Sequence, residues 1–226
     1  MNQIDENPNY KEIYNVVKGL FEASEHFYFG PFDETYYSLR VYETSKEIIA
    51  LLNSEVNVQM VLVAAILHDV GKTTLDTVKV FSPKGKTEEA MKEWKQHSKL
   101  SVPIAKKILS EMGYSEEFII EVCYLIEHHD HRGDKMENKS VELQILQDAD
   151  LIADCGFAGF IRPFLYGGKF SRNIIDTIKY LQRETNNIEK KGKLNLDSSK
   201  EIAKRKVDLE KRLIKEISLD LDSDLL

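Results

Sequence analysis

The chain has 226 residues, 42% hydrophobic and 31% charged, with a net charge of −7 and a pI of about 5.5. That composition suits one large globular domain or a domain with an added segment. It argues against a generic nucleic-acid binder, which needs a basic face, and no run of about 18 apolar residues offers a membrane span. The first residues, MNQIDENPNYKEIYNVV, lack the basic start and apolar core of a secretory signal. Cys123 and Cys155 sit in apolar surroundings and read as buried free thiols, with no disulfide framework and no CxxC pair. The expectation is an intracellular, cytoplasmic protein.

Helical periodicity dominates. Residues 8–28 place Tyr10, Ile13, Val16, Val17, Leu20 and Phe21 at helical spacing, and FGPFD at 29–33 breaks the pattern. Residues 34–52 repeat it through Tyr37, Val41, Thr44, Ile48 and Leu51. Residues 57–69 are apolar nearly all round, which predicts a central buried helix ended by Gly71. Residues 73–96 form a polar connector, long for a plain turn and expected to be a lid or an irregular crossover. Helices follow over 97–112, 116–129 and 140–154, with Ser115 and Ser140 as N-caps and Gly113 and Gly156 as stops. Residues 157–185 are Gly- and aromatic-rich at first and helical from about 172. A last helix over 199–218 opens with a capping-box pattern, Ser198-Ser199-Lys200-Glu201, and the tail DLDSDLL is acidic. The reading is an all-α fold: a single helical domain over 1–226, with N- and C-terminal helices packed around the core.

Five of the six histidines lie between 68 and 131. Most fall at helix ends, where a rigid element can aim a side chain into a shared cleft. Imidazole suits Zn, Mn, Fe, Co and Ni, and a carboxylate suits harder ions or bridges two of them. An adjacent His68-Asp69 pair needs partners from other helices. Spacings of one helix plus its connection return each ligand to the same end of a bundle. Taken singly, each element also has a bland explanation: His97 as a solvated helix start, His131 and Asp130 as a surface polar run.

In its order, His68-Asp69, His97, His128-His129 and Asp150 resembles the HD superfamily of metal-dependent phosphohydrolases. The likeness covers roughly residues 30–160. It is carried by TYYSLRVYETSKEI, AAILHDVGK, HSKLSVPIAKKIL, IEHHD and LQDADLIADCG, and the closing helix SSKEIAKRKVDLEKRLIKE is similar to that of stand-alone members. The resemblance implies an HD-type helical bundle with core motifs over 30–160 and a helical extension over 172–218. It implies metal ligation by His68, Asp69, His97, His128 and Asp150, with Asp150 rather than Asp148 matching the closing aspartate. It further implies Asp69, Lys72 and His129 as catalytic residues, with Lys72 contacting a substrate phosphate and His129 either contacting it too or acting as a further ligand. The sequence departs from the pattern where the family's first ligand is a histidine: this chain has Tyr37. Tyr37 is either a core aromatic or a replacement ligand, and as phenolate it would need a strongly acidic ion, because unperturbed tyrosine titrates near 10. Asp33 and Glu34 lie one turn earlier and could compensate. HHDHRGDK lacks the Gly-Tyr-Pro of cyclic-di-GMP phosphodiesterases of this superfamily.

The implied function is hydrolysis of a phosphate ester or anhydride, a nucleotide first of all, with one or two divalent ions (Mn, Fe, Mg, Co, Ni or Zn) activating water. Lys79, Lys84 and Lys86 on the connector could gather an anionic substrate. Two alternatives stand beside it: an HD-fold di-iron oxygenase of a small polyol or phosphonate, and a non-catalytic nucleotide sensor with a degenerate first metal site. The implied partner is a small phosphorylated molecule rather than a nucleic-acid polymer or a membrane, and the oligomeric state is left open.

Overall fold

The structure, a computed structural model, describes residues 8–24, 30–76, 87–131, 139–190 and 194–221, with backbone alone at Pro8 and over 184–190. Among the described residues there is no strand, and the all-α expectation holds. In chain order the helices are α1 (Pro8–Ala23), α2 (Glu34–Ala50), α3 (Val58–Leu67), a 3-10 turn (Val70–Thr74), α4 (Glu88–Trp94), α5 (His97–Glu111), α6 (Glu116–His128), α7 (Val141–Ala153), α8 (Phe157–Lys169), α9 (Ile174–Lys190) and α10 (Asp197–Asp220). The connector lysines Lys79, Lys84 and Lys86, and His26, lie outside the described residues.

Helix α3 is the axis of the molecule. Asn57 caps it by accepting from the Met60 amide, and every residue from Met60 to Leu67 is buried. Helices α1, α2, α6 and α7 pack around it. Burying each of its aliphatic side chains contributes about 1.5–3 kcal/mol. The helix ends at Leu67, His68 keeps helical backbone angles as its C-cap, and the chain tightens into the 3-10 turn after Asp69.

Gly71 has a different purpose from the predicted helix stop. Its φ is not positive. Instead, a Cβ there would run into the backbone of His97, Leu100 and Ser101. The Gly71 amide donates to Ser101 Oγ at 2.8 Å, and that hydroxyl donates to the His97 carbonyl at 2.9 Å. The turn after His68-Asp69 is thereby pressed onto the start of α5. Gly113 and Gly156 do adopt the left-handed angles of helix boundaries, and Ser115 and Ser140 are N-caps.

Three expectations change. The stretch after Gly156 is helical from its start: in α8 the glycines serve close packing, Gly159 against the Asp154 carbonyl and Gly167 against Thr177. The polar connector holds a short helix, α4, capped by Thr87. Helix α10 begins at Asp197 with no side-chain cap from its own residues. Asp148 of α7 instead accepts from the Asn195 and Leu196 amides, at 2.8 and 2.9 Å, so tertiary packing supplies what the capping box was expected to supply. Cys123 is only half-buried, whereas Cys155 is buried. No helix among the described residues is long and apolar enough to cross a membrane.

Replacing Gly71 with alanine is expected to lower stability by about 1–3 kcal/mol, as for other overpacked interiors, measured by urea unfolding. A variant as stable as the parent would show that α5 can retreat freely.

Candidate metal centre

Four elements aim polar side chains into one buried space. His68 and Asp69 come from the end of α3, His97 from the first residue of α5, His129 and Asp130 from just past α6, and Asp150 from α7. His68, Asp69, His97 and His129 are between 0% and 4% exposed. His97 Nε2 lies 3.2 Å from Asp69 Oδ1, from Asp130 Oδ2 and from His129 Nε2. His129 Nε2 lies 3.7 Å from Asp69 Oδ1. His68 Nε2 lies 3.2 Å from Asp69 Oδ2 and 3.4 Å from Asp150 Oδ1, without hydrogen-bond geometry to either.

Each imidazole is oriented by a backbone carbonyl three residues earlier in the chain. Nδ1 of His68 meets the Ala65 carbonyl at 2.9 Å, that of His97 the Trp94 carbonyl at 2.8 Å, and that of His129 the Ile126 carbonyl at 2.7 Å. A carbonyl oxygen only accepts, so each Nδ1 carries a proton and each Nε2 faces the pocket. Neutral rings of His97 and His129 would then oppose two lone pairs at 3.2 Å, with the Asp69 carboxylate beside them. Asp69 Oδ1 is buried without a hydrogen-bond partner. A cation among these atoms removes both penalties, and backbone-anchored imidazoles are the usual support of metal ligands. The donor set therefore fits a divalent ion: His68, Asp69 and His129 form one possible group of ligands, and His97, His129 and Asp130 a second.

Without an ion, the charges balance one another. Burial alone lowers the His68 pKa, but the Asp69 and Asp150 carboxylates outweigh it and hold the imidazole at about 10. Burial pushes Asp69 up, and His68, Lys72 and His97 more than reverse this, leaving it well below the usual carboxylate range. His129 is driven down, to about 4, by burial and by the neighbouring His68. Lys72 is less a free phosphate contact than an ion-pair partner: its Nζ sits 2.5 Å from Asp69 Oδ2, 3.5 Å from Glu34 Oε2 and 5.0 Å from the Trp94 ring centre.

Tyr37 stands at the rim of this cluster. Its hydroxyl donates to Asp150 Oδ1 at 2.7 Å and to the Asp150 carbonyl at 2.8 Å. Burial and the carboxylates of Asp150, Asp154 and Asp69 raise its pKa, so the ring is a neutral donor here rather than a phenolate. Neither acid one turn earlier is directed to an ion. Asp33 caps α2, accepting from the Thr35 and Tyr36 amides. Glu34 accepts from Arg162 at 2.9 Å and Tyr166 at 3.0 Å as well as facing Lys72.

His128 is the predicted ligand that the structure sets apart. Its Nδ1 meets the Tyr124 carbonyl at 2.9 Å, and its ring packs against Tyr124 and His131, outside both ligand groups. At the end of α6 it is His129, buried with its Nε2 beside His97 and Asp69, that faces the pocket. Asp130, for which a surface polar run was the bland explanation, closes on His97 while its side chain stays 42% exposed. Buried Gln147 holds the turn in place by donating to the His128 and His131 carbonyls, each at 2.9 Å. Arg162 and Tyr166 were missed because their segment was expected to be irregular.

A helical bundle with a histidine–aspartate centre at the end of its central helix defines a class, and comparison with known proteins names it. Residues 36–153, more than half of the chain, match the family model for the HD domain, and the chain belongs to that family. Among solved structures, YpgQ of Bacillus subtilis superposes with a TM-score of 0.62 at 17% identity, over 96% of this chain and 98% of that one. An HD-superfamily hydrolase from Bacillus thuringiensis gives 0.61 at 20% identity, over 94% and 96%. YpgQ in complex with ADP gives 0.59 at 19% identity, over 94% and 97%. At these identities the likeness is one of fold. No curated protein matches the sequence.

The raised pKa of His68 has a consequence for stability in chelated protein. The folded state holds the proton up to about 10, against 6.5 for an ordinary histidine. This contribution is complete below the ordinary value and is lost as pH rises through the folded one. The melting temperature of chelated protein is expected to fall between those values, and His68→Gln should flatten that part of the profile. An unchanged slope in the variant would remove His68 as its source.

Proposed function

We propose that this protein is a metal-dependent phosphohydrolase acting on a phosphate ester or anhydride, with a nucleotide as the first substrate class to test. The observation that carries the reading is the buried Asp69 Oδ1, unpartnered and faced by the Nε2 atoms of His97 and His129, in a chain of the HD-domain family. The ADP complex of YpgQ supports nucleotides as the class, as a property of that protein. The residues that would hold an ion are those of the two ligand groups, with Asp150 beside them.

A divalent ion supplies Lewis acidity, polarising a phosphoryl oxygen and lowering the pKa of water toward about 7. The rest is work for the chain. Asp69 would hold the cation, and its Oδ2 receives the Lys72 ammonium. Lys72 adds positive charge beside the pocket, which favours charge growing on phosphoryl oxygens. His129 is neutral near pH 7 because its pKa is depressed, so its Nε2 would ligate without first losing a proton. Asp130 marks the solvent edge through which substrate and water would enter.

A second reading draws on Tyr37. Its bond to Asp150 ties down the aspartate that closes the family's first site, which favours nucleotide binding without turnover. One experiment separates the two. Nucleotides and small phosphate esters are screened for phosphate release with Mn2+, Mg2+, Co2+ and Zn2+, alongside thermal shifts with the same ligands. Turnover that falls by at least about a hundredfold in Asp69→Ala, with the helical signal retained, is the expected result. Ligand-induced stabilisation without product would favour the sensor, and turnover indifferent to Asp69→Ala would end the hydrolase reading.

A further inference from the structure

Asp69 turns its two oxygens to two different sets of partners. Oδ2 receives the Lys72 ammonium at 2.5 Å and lies 3.2 Å from His68 Nε2. On that side Asp150 Oδ1 already accepts the Tyr37 proton at 2.7 Å. An ion seated there would have an ammonium as its neighbour and would share one carboxylate with Lys72 and the other with Tyr37. Oδ1 has no hydrogen-bond partner, although Asp69 is 2% exposed, and it faces His97 and His129. His97 Nε2 reaches Asp130 Oδ2 as well. Four tetrahedral donors, each about 2.1 Å from an ion, stand about 3.4 Å from one another. Of the six separations among these four donors, the four that involve His97 or join His129 to Asp69 are three of 3.2 Å and one of 3.7 Å, and they bracket that spacing.

We propose that the protein seats one divalent cation between Asp69 Oδ1, His97, His129 and Asp130, and that Tyr37 and Lys72 keep the His68–Asp150 side as a hydrogen-bonded half without an ion. The inference rests on the metal-dependent reading above and narrows it. Asp130 becomes the fourth ligand, and its exposure makes it the side on which the ion exchanges and a phosphoryl oxygen would approach. His68 becomes a positioning residue, set between the Asp69 and Asp150 carboxylates. Tyr37 becomes the reason for a single site: it bonds to the carboxylate that a first ion would use.

The test is metal content and affinity rather than activity. Chelated full-length protein is loaded with Zn2+, passed over a desalting column and analysed for metal per chain. Affinity is then measured by competition with a chromogenic chelator, with melting curves as the control for folding. One ion per chain is expected. Asp130→Asn and His97→Gln should each lose at least about tenfold in affinity, while Asp150→Asn stays within about threefold of the parent. Tyr37→His, which puts an imidazole beside Asp150, should raise the content toward two. Two ions in the parent, or affinity lost in Asp150→Asn and kept in Asp130→Asn, would overturn the proposal. In that case Mn2+-dependent turnover would still uphold the hydrolase reading. Tyr37→His remaining at one ion would count against the part given to Tyr37. No uptake at all would overturn both readings.

Discussion

The carboxylate of Asp69, 2% exposed, joins two halves of one pocket. One oxygen takes the Lys72 ammonium, and the other faces two imidazole nitrogens without a hydrogen bond of its own. A buried carboxylate costs several kcal/mol of desolvation unless charge and hydrogen bonds surround it. The positions of His68, Lys72, His97 and His129 can be understood as answers to that cost. The fold must bring four helices to a single oxygen pair, and the packing around α3 is how it does so.

Rigidity comes from apolar burial and precision from the backbone. Helix α3 has no exposed face between Met60 and Leu67, so the residues at its end cannot drift. Three histidines are held by backbone carbonyls three residues before them, which sets the tautomer as well as the direction. The Gly71 turn then presses directly against α5, bringing His97 to Asp69. A methyl group at Gly71 would disturb the centre through backbone contact alone, with no ligand altered.

Around this centre runs a chain of alternating charge: Asp69 to Lys72, Lys72 to Glu34, Glu34 to Arg162, and Arg162 to Asp154. It ties α8 to the start of α2 and to the turn after α3. Glu34 therefore serves the cohesion of the site rather than compensating for the absent histidine. Tyr37 sits among these charges, with the Arg162 guanidinium 4.6 Å from its ring centre. Its hydroxyl bonds to Asp150, so the departure from the family pattern acts by committing a neighbouring ligand. Loss of a nitrogen donor is only half of its effect.

Periodicity, caps and the ordered His and Asp motifs determined the helical class, the buried central helix, the family and most of the residues that converge. These are local properties: a helical repeat, a serine before a helix or a His-Asp pair is written in adjacent residues. Which of two neighbouring histidines faces inward was not legible, because it depends on the angle at which α6 ends, and Gln147 of a distant helix secures that turn. Nor could Asp130 be told from a surface acid, since its partner lies on α5. The purpose of Gly71, the cap that Asp148 lends to α10 and the bond from Tyr37 to Asp150 were equally hidden. Each is a contact between residues far apart in the chain. Only packing decides such contacts, because distance along the sequence carries no record of which side chains share a space too small for water.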